Sequence, residues 1–259
     1  MEGFRSEAVI DRVAPTIRPD RRVIMYQNWH HLLFLHWRVA PEQLRPLIPA
    51  GLDVDLYDGW AYVGLTPFTM TGVRPVGVPA FPPVSNFHET NVRTYVHRGG
   101  RDPGVWFFSL DASGALAVLG ARIAFGLPYH LARIRFVVER EAETGLGPTI
   151  DYTLERRQPG PTPATCAIRY APRSPVGLAR VGTREFFLVE RYLLYTIWAG
   201  RLYLSRIHHP PWPLQDAEVS RLDETLLAAA RIARPDASPL AHYAREQQRV
   251  EVFASERVS

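Results

Sequence analysis

The strongest constraint on the fold of this chain is a two-residue period, interrupted at short intervals by glycine and proline. Leu52-Asp53-Val54-Asp55-Leu56 alternates apolar and acidic side chains. Asp58-Gly59 then supplies a favoured two-residue turn, and Trp60–Leu65 resumes the run, so a hairpin is predicted over 52–65. A second hairpin is predicted from 88–98 and 104–112 around Gly99-Gly100. Further strands are read at 132–141, 149–157, 164–171, 201–209 and 247–254. Residues 25–39 are so rich in apolar and aromatic groups that periodicity alone does not separate a helix from a strand. Their second half reads as a strand, with Leu33, Leu35, Trp37 and Val39 alternating with Phe34, His36 and Arg38. Short helices are predicted at 41–49, at 183–192 with Thr183 as N-cap, and at 222–233, where the face is rich in Ala and Leu. The proline-rich stretch 66–87 is expected to be a long loop near a binding site. Many short strands, Gly/Pro turns and few helices point to one mainly β domain over 23–259, a barrel or sandwich, behind a loosely held polar arm at 1–22.

Composition narrows the chemistry. All 30 basic residues are arginine, and the chain has no lysine. Schiff-base catalysis through a lysine amine, a Walker lysine and a lysine general base are therefore all excluded. A single cysteine, Cys166, leaves no internal disulfide and no cysteine zinc cluster, and reads as a small buried hydrophobe. The net charge of +4 comes from scattered arginines without a basic tail, so nucleic acid is not expected as a partner. No apolar run reaches the ~18 residues of a membrane helix, and the N-terminus has no apolar signal core. A cytoplasmic location without membrane contact is expected. His30-His31, His36 and His208-His209 could suggest a metal, but neighbouring residues on a strand point to opposite faces and no ligand motif supports them. No metal and no cofactor are expected.

Two segments carry candidate chemistry. In strand 88–96, Glu89, Asn91, Arg93 and Tyr95 fall on one face, and His88, Thr90, Val92, Thr94 and Val96 on the other. A polar row of this kind is either a solvated outer face or the lining of a barrel built for a polar ligand. In GLPYH, Gly126 and Pro128 break a regular element and place Tyr129 and His130 at the break.

With WHHLLFLHWRVAPEQLRPLIPAGLDVDLYDG, HETNVRTYV, GLPYH, VERYLLY and HHPPWPL in this order, the chain resembles the uncharacterised YqjF-like (DUF2071) family, within the acetoacetate decarboxylase superfamily. The resemblance implies an acetoacetate decarboxylase-like closed β-barrel or cone with a few short helices and a central cavity. It implies that Glu89 occupies the place of the decarboxylase pocket glutamate. Gly120-Ala121-Arg122 and Pro128-Tyr129-His130 resemble the segment that carries the decarboxylase lysine pair. Tyr129 stands where the nucleophilic lysine would be, and His130 in place of its neighbour. The decarboxylase pocket arginine falls near His30.

These readings give Glu89, His130 and Tyr129 as expected catalytic groups, with Arg93, Asn91, Arg122 and His30 expected to bind substrate. An enclosed Glu89 has its pKa raised, as suits proton transfer, and Arg93 offers a fork of donors to a carboxylate or enolate. The expected function is a pocket for a small carbonyl or carboxylate compound, with lyase-, isomerase- or dehydratase-type proton transfer at Glu89. The alternative is a small-molecule-binding protein without catalysis. Superfamily relatives form oligomers, so a homo-oligomer is the expected assembly.

Overall fold

The computed structural model describes residues 10–141, 145–158 and 163–258. The ambiguous apolar run resolves into one long strand, β1 (Val23–Val39). It leads through the one-turn helix α1 (Pro41–Leu44) to β2 (Asp53–Val54) and β3 (Ala61–Pro75). Helix α2 (Pro82–Ser85) precedes β4 (Phe87–Arg98) and β5 (Arg101–Ala112), and α3 (Ala115–Phe125) leads into β6 (Tyr129–Glu141). Then come β7 (Pro148–Gln158), β8 (Thr165–Pro172), α4 (Arg184–Val189), β9 (Leu193–Trp198), β10 (Arg201–His208) and β11 (Leu214–Glu224). Helix α5 (Leu226–Ala229), β12 (Leu240–Phe253) and β13 (Glu256–Arg257) complete the described elements.

All the strands join one sheet, and two additional pairings turn it back on itself. The β4–β5 pairing returns β5-β6-β7-β8-β11-β12-β1-β3-β4 to its start, forming ring one. The β10–β12 pairing forms ring two, β5-β9-β10-β12-β1-β3-β4. The rings share a wall of β12, β1, β3, β4 and β5. Because that wall has an interior on both sides, its strands are buried on both faces, which turns an alternating pattern into a continuous apolar one. Leu32–Trp37 in β1 and Ala61–Phe68 in β3 are buried without a break. Ring one holds a cluster built around Leu33, Leu35, Val63, Val92, Tyr152, Tyr170 and Tyr243. Ring two holds another, around Phe34, Tyr62, Phe68, Tyr95, Phe187 and Trp212.

The structure confirms several expected elements. The hairpin around Gly99-Gly100 forms, with Arg98 opposite Arg101, and the pairs β6–β7 and β7–β8 form as expected. Thr183 caps α4 by accepting from the Phe186 amide.

Four expectations are corrected. The Asp58-Gly59 turn exists, closed by a Tyr57–Trp60 bridge, but β2 pairs with β4 rather than with β3. Half of the expected 66–87 loop is strand, because β3 runs on to Pro75 against β1. The expected 222–233 helix is one turn long. Leu222, Asp223 and Glu224 stay in β11 opposite β8, and this pairing overrides the Ala/Leu helix propensity that follows. The regular element that Gly126 and Pro128 were read to break is helix α3, which ends at Gly126 with φ 63°. A Cβ there would lie 2.9 Å from Trp198 Cβ, so glycine is required. Of the arm expected over 1–22, residues 10–22 lie along the barrel, with Arg12 paired to Asp55, Arg18 to Glu251 and Arg21 to Glu256.

Candidate functional site

The shared wall decides where each side chain of β4 points. His88, Thr90 and Val92 face ring one. The His88 ring stacks on Phe136 at 5.2 Å, Thr90 is hydrogen-bonded to the Tyr152 hydroxyl, and Val92 packs in the ring-one cluster. Glu89, Asn91, Arg93 and Tyr95 face ring two. The polar row read from the sequence is therefore neither solvated nor inside the larger ring. It lines the smaller one, where α4 and the 209–214 segment pack over it through Phe187, Leu188 and Trp212.

Strand register brings further polar groups to this row. Thr66 on β3 lies directly opposite Asn91, and Gly64 opposite Arg93. His36 on β1 lies opposite Gly64. Gly64 is small for a reason visible in the packing: a Cβ would come within 3.2 Å of both Arg93 Cγ and His36 Cδ2. On the other side of β4, Leu110 is opposite Asn91 and pairs in parallel with Tyr129.

Tyr129 closes over Glu89, its hydroxyl donating to Glu89 Oε2 at 2.7 Å. Glu89 is 2% exposed. Burial pushes its pKa up to about 8, against the opposing hydrogen bonds from Tyr129 and Asn91. The carboxyl therefore carries its proton at neutral pH. Burial and the adjacent Glu89 push the Tyr129 phenol well up as well. His36 is held far below the usual imidazole range by burial, then by Arg93, and is neutral. Tyr95 donates its hydroxyl proton to the Leu188 carbonyl at 2.6 Å, so His36 Nε2, 2.6 Å from the same oxygen, is the donor to it. This tautomer leaves His36 Nδ1 as an acceptor.

The row is rich in buried polar atoms that have no protein partner: His36 Nδ1, Thr66 Oγ1, Asn91 Oδ1 and Arg93 Nε, with Trp212 Nε1 and His242 Nδ1 in the same ring. The Arg93 guanidinium lies over the Phe34 ring at 5.4 Å and reaches Tyr95 and the Leu188 carbonyl only at 3.4 Å. Among the described residues it forms no ion pair. The nearby Arg191 differs: it is buried, donates to Asp55 Oδ2 at 2.8 Å and to the Phe187 carbonyl, and serves as a structural cation. Glu190 is also occupied, accepting from Tyr192 and from the Trp212 amide.

The structure thus brings Glu89, Asn91, Arg93 and Tyr129 to one face and places the other expected residues elsewhere. His130 follows Tyr129 along β6 and so projects to the opposite face, beside Asp111. Arg122 is exposed on α3, and its guanidinium donates to the Tyr129 carbonyl at 2.6 Å rather than to the polar row. His30 sits on β1 with Nε2 2.8 Å from Thr71 Oγ1. Thr66 and His36 were not anticipated. Thr66 fell within the expected loop, and His36 was weighed only as a metal ligand and read as a polar residue on the Phe34 face of an apolar strand. Among the described residues no three His, Cys, Asp or Glu side chains gather as a metal would require. No described helix is long and apolar enough to cross a membrane.

The model of the DUF2071 family, described as an uncharacterized conserved protein, matches residues 26–248. The uncharacterized protein YqjF of Bacillus subtilis (strain 168) is 41% identical over 229 residues, covering 88% of this chain and 90% of that protein. Among solved structures, the enduracididine biosynthesis enzyme MppR complexed with pyruvate superposes with a TM-score of 0.62 at 13% identity, over 93% of this chain and 92% of that one. MppR has also been solved with the condensation product of pyruvate and imidazole 4-carboxaldehyde. The acetoacetate decarboxylase of Legionella pneumophila superposes with a TM-score of 0.61 at 12% identity, over 95% and 94% of the two chains. At these identities the structural likeness shows a shared acetoacetate decarboxylase-like fold.

Proposed function

From the premise that the chain belongs to the DUF2071 family, we propose that ring two binds a small 2-oxo acid and moves a proton at the carbon next to its carbonyl, without a Schiff base. The carrying observation is the row of unpartnered polar atoms beside a protonated, fully enclosed Glu89. Buried polar atoms are nearly always paired, and clusters of exceptions call for an occupant. The row offers a cation at Arg93, an N–H donor at Trp212, acceptors at Asn91 Oδ1 and His36 Nδ1, and a hydroxyl at Thr66. An anionic group fits the first, and an enol or hydroxyl group fits the acceptors. A 2-oxo acid in equilibrium with its enol carries both, and the pyruvate in MppR is of this class.

With no lysine in the chain, activation rests on proton transfer alone. Arg93 holds the carboxylate. Ionised Glu89 takes a proton from C3 and the C3–H electron pair moves into the C2–C3 bond. The C2 oxygen takes up the negative charge, for which the Thr66 hydroxyl is the uncommitted donor on the same wall. Returning the proton to C3 reverses the step. A carboxyl titrating near 8 is matched to a task at physiological pH.

The test is exchange of the pyruvate methyl protons for deuterium in heavy water, followed by NMR. Exchange above the buffer rate, rising with pH to a plateau past about 8 and lost in Glu89→Gln, supports the reading. Binding of pyruvate, seen as a rise in Tm, with no exchange identifies a binding protein and rejects the catalytic step. No binding and no exchange reject both.

A further inference from the structure

Ring two parts from ring one where β5 changes neighbours. Its last pair with β9 is Trp106–Tyr195, and its first pair with β6 is Leu110–Tyr129. Between them, Phe107–Ser109 have neither strand beside them. A cleft of about 290 Å³ opens at this fork. Its lining carries no charge; the apolar side chains of Leu47, Trp106, Phe107, Leu127, Pro128 and Ile197 make up the larger part, beside polar groups that include Thr196.

The cleft adjoins the Glu89 site through two of these residues. Pro128 is bonded to Tyr129, whose hydroxyl reaches Glu89. Phe107 is the register partner of Arg93 and packs, like Leu127, against the ring-two cluster. The far rim is fixed: Thr196 donates to the Gly126 carbonyl at 3.1 Å, and Gly126 leaves no room for a Cβ against Trp198. The cleft lining offers no charged side chain to a ligand.

We propose that this fork cleft holds the apolar tail of the substrate, so that the preferred 2-oxo acid carries an alkyl chain or an aromatic ring rather than the bare methyl of pyruvate. The inference rests on the proposed 2-oxo acid site. It assigns Phe107, Leu127 and Ile197 as specificity-determining residues, distinct from the polar row that holds the head.

The experiment is a calorimetric titration with pyruvate, 2-oxobutanoate, 2-oxopentanoate, 2-oxohexanoate and phenylpyruvate, on the parent chain and on Ile197→Trp. Ile197 is at the cleft rim and 37% exposed, so the larger ring can be accommodated without burying new volume in the core. The expected result is a Kd that falls about fourfold for each added methylene in the parent, with that gain abolished in Ile197→Trp and pyruvate binding unchanged. Pyruvate binding with no dependence on chain length overturns the tail site and leaves the head site standing. So does a length dependence that Ile197→Trp leaves intact. Failure of every 2-oxo acid to bind overturns the head site, and this inference with it.

Discussion

The two faces of the shared wall have the same strands, the same register and the same degree of burial, yet they treat polar groups in opposite ways. On the ring-one face, buried polar groups are matched within the protein. Asp111 accepts two hydrogen bonds from Arg156 at 2.6 and 2.7 Å, Thr90 is paired with Tyr152, and His31 Nδ1 is 2.7 Å from the Tyr243 hydroxyl. Of the described buried atoms without partners, only Ser109 Oγ belongs to this face of the wall. On the ring-two face, His36, Thr66, Asn91 and Arg93 each keep an unpartnered atom. A fully matched network stabilises and rigidifies, and an unmatched one destabilises unless something else occupies it. The lesson is that one wall treats its two faces differently: its ring-one face is matched within the protein, and its ring-two face carries the unpartnered atoms on which the proposed ligand site rests.

The largest effect that could break this contrast is expected at Asp111. Asp111→Asn leaves Arg156 buried without its counter-charge, and a loss of about 3–5 kcal/mol is expected in denaturant unfolding. A loss below about 1 kcal/mol would mean that the ring-one network is not structural.

Glu89→Gln is expected to act in the opposite sense. The unfolded carboxyl titrates near 4.5 and the folded one near 8. Below 4.5 both states hold the proton and Glu89 carries no penalty. Between 4.5 and 8 the unfolded state releases a proton that the folded state keeps, so stability falls with rising pH by up to about 1.4 kcal/mol per unit. Glu89→Gln removes this slope and keeps an acceptor for Tyr129. The variant is therefore expected to match the parent near pH 4.5 and to exceed it increasingly toward pH 8. Parallel pH profiles for the two proteins would contradict the raised pKa.

A smaller effect is expected at Gly64. Gly64→Ala brings a methyl to 3.2 Å from Arg93 and His36. About 1 kcal/mol of stability is expected to be lost, together with a larger loss of pyruvate affinity. A drop in stability with affinity intact would separate Gly64 from the site.

Much of the fold was legible in the sequence, and what was not has a common cause. The β4–β5 hairpin forms where Gly99-Gly100 announced it, whereas the Asp58-Gly59 turn closes only a Tyr57–Trp60 bridge. Long-range pairing decided the rest: β1 keeps β3 extended to Pro75, and β8 keeps Leu222–Glu224 in a strand. At the site, a period of two on β4 was enough to group Glu89, Asn91, Arg93 and Tyr95. Tyr129 and His130 were read at the Gly126–Pro128 break, and only their place in β6 shows that they face opposite ways. No pattern within β4 could show that a second ring covers its polar row. That follows from β9, β10 and α4, which lie about a hundred residues further along. Thr66 and His36 join the row only through register with β4 and β3.

The most direct test applies one substitution to each face and measures Tm with and without pyruvate. Thr66→Val removes an unpartnered hydroxyl on the ring-two face, and Thr90→Val removes a paired one on the ring-one face. Thr66→Val is expected to be as stable as the parent or slightly more so and to lose the rise in Tm with pyruvate. Thr90→Val is expected to lose about 1–2 kcal/mol, because the Tyr152 hydroxyl is left unpaired, and to keep that rise. Equal stability losses in both variants, or a pyruvate response that survives in Thr66→Val and disappears in Thr90→Val, would contradict the division of the wall into a structural face and a ligand face.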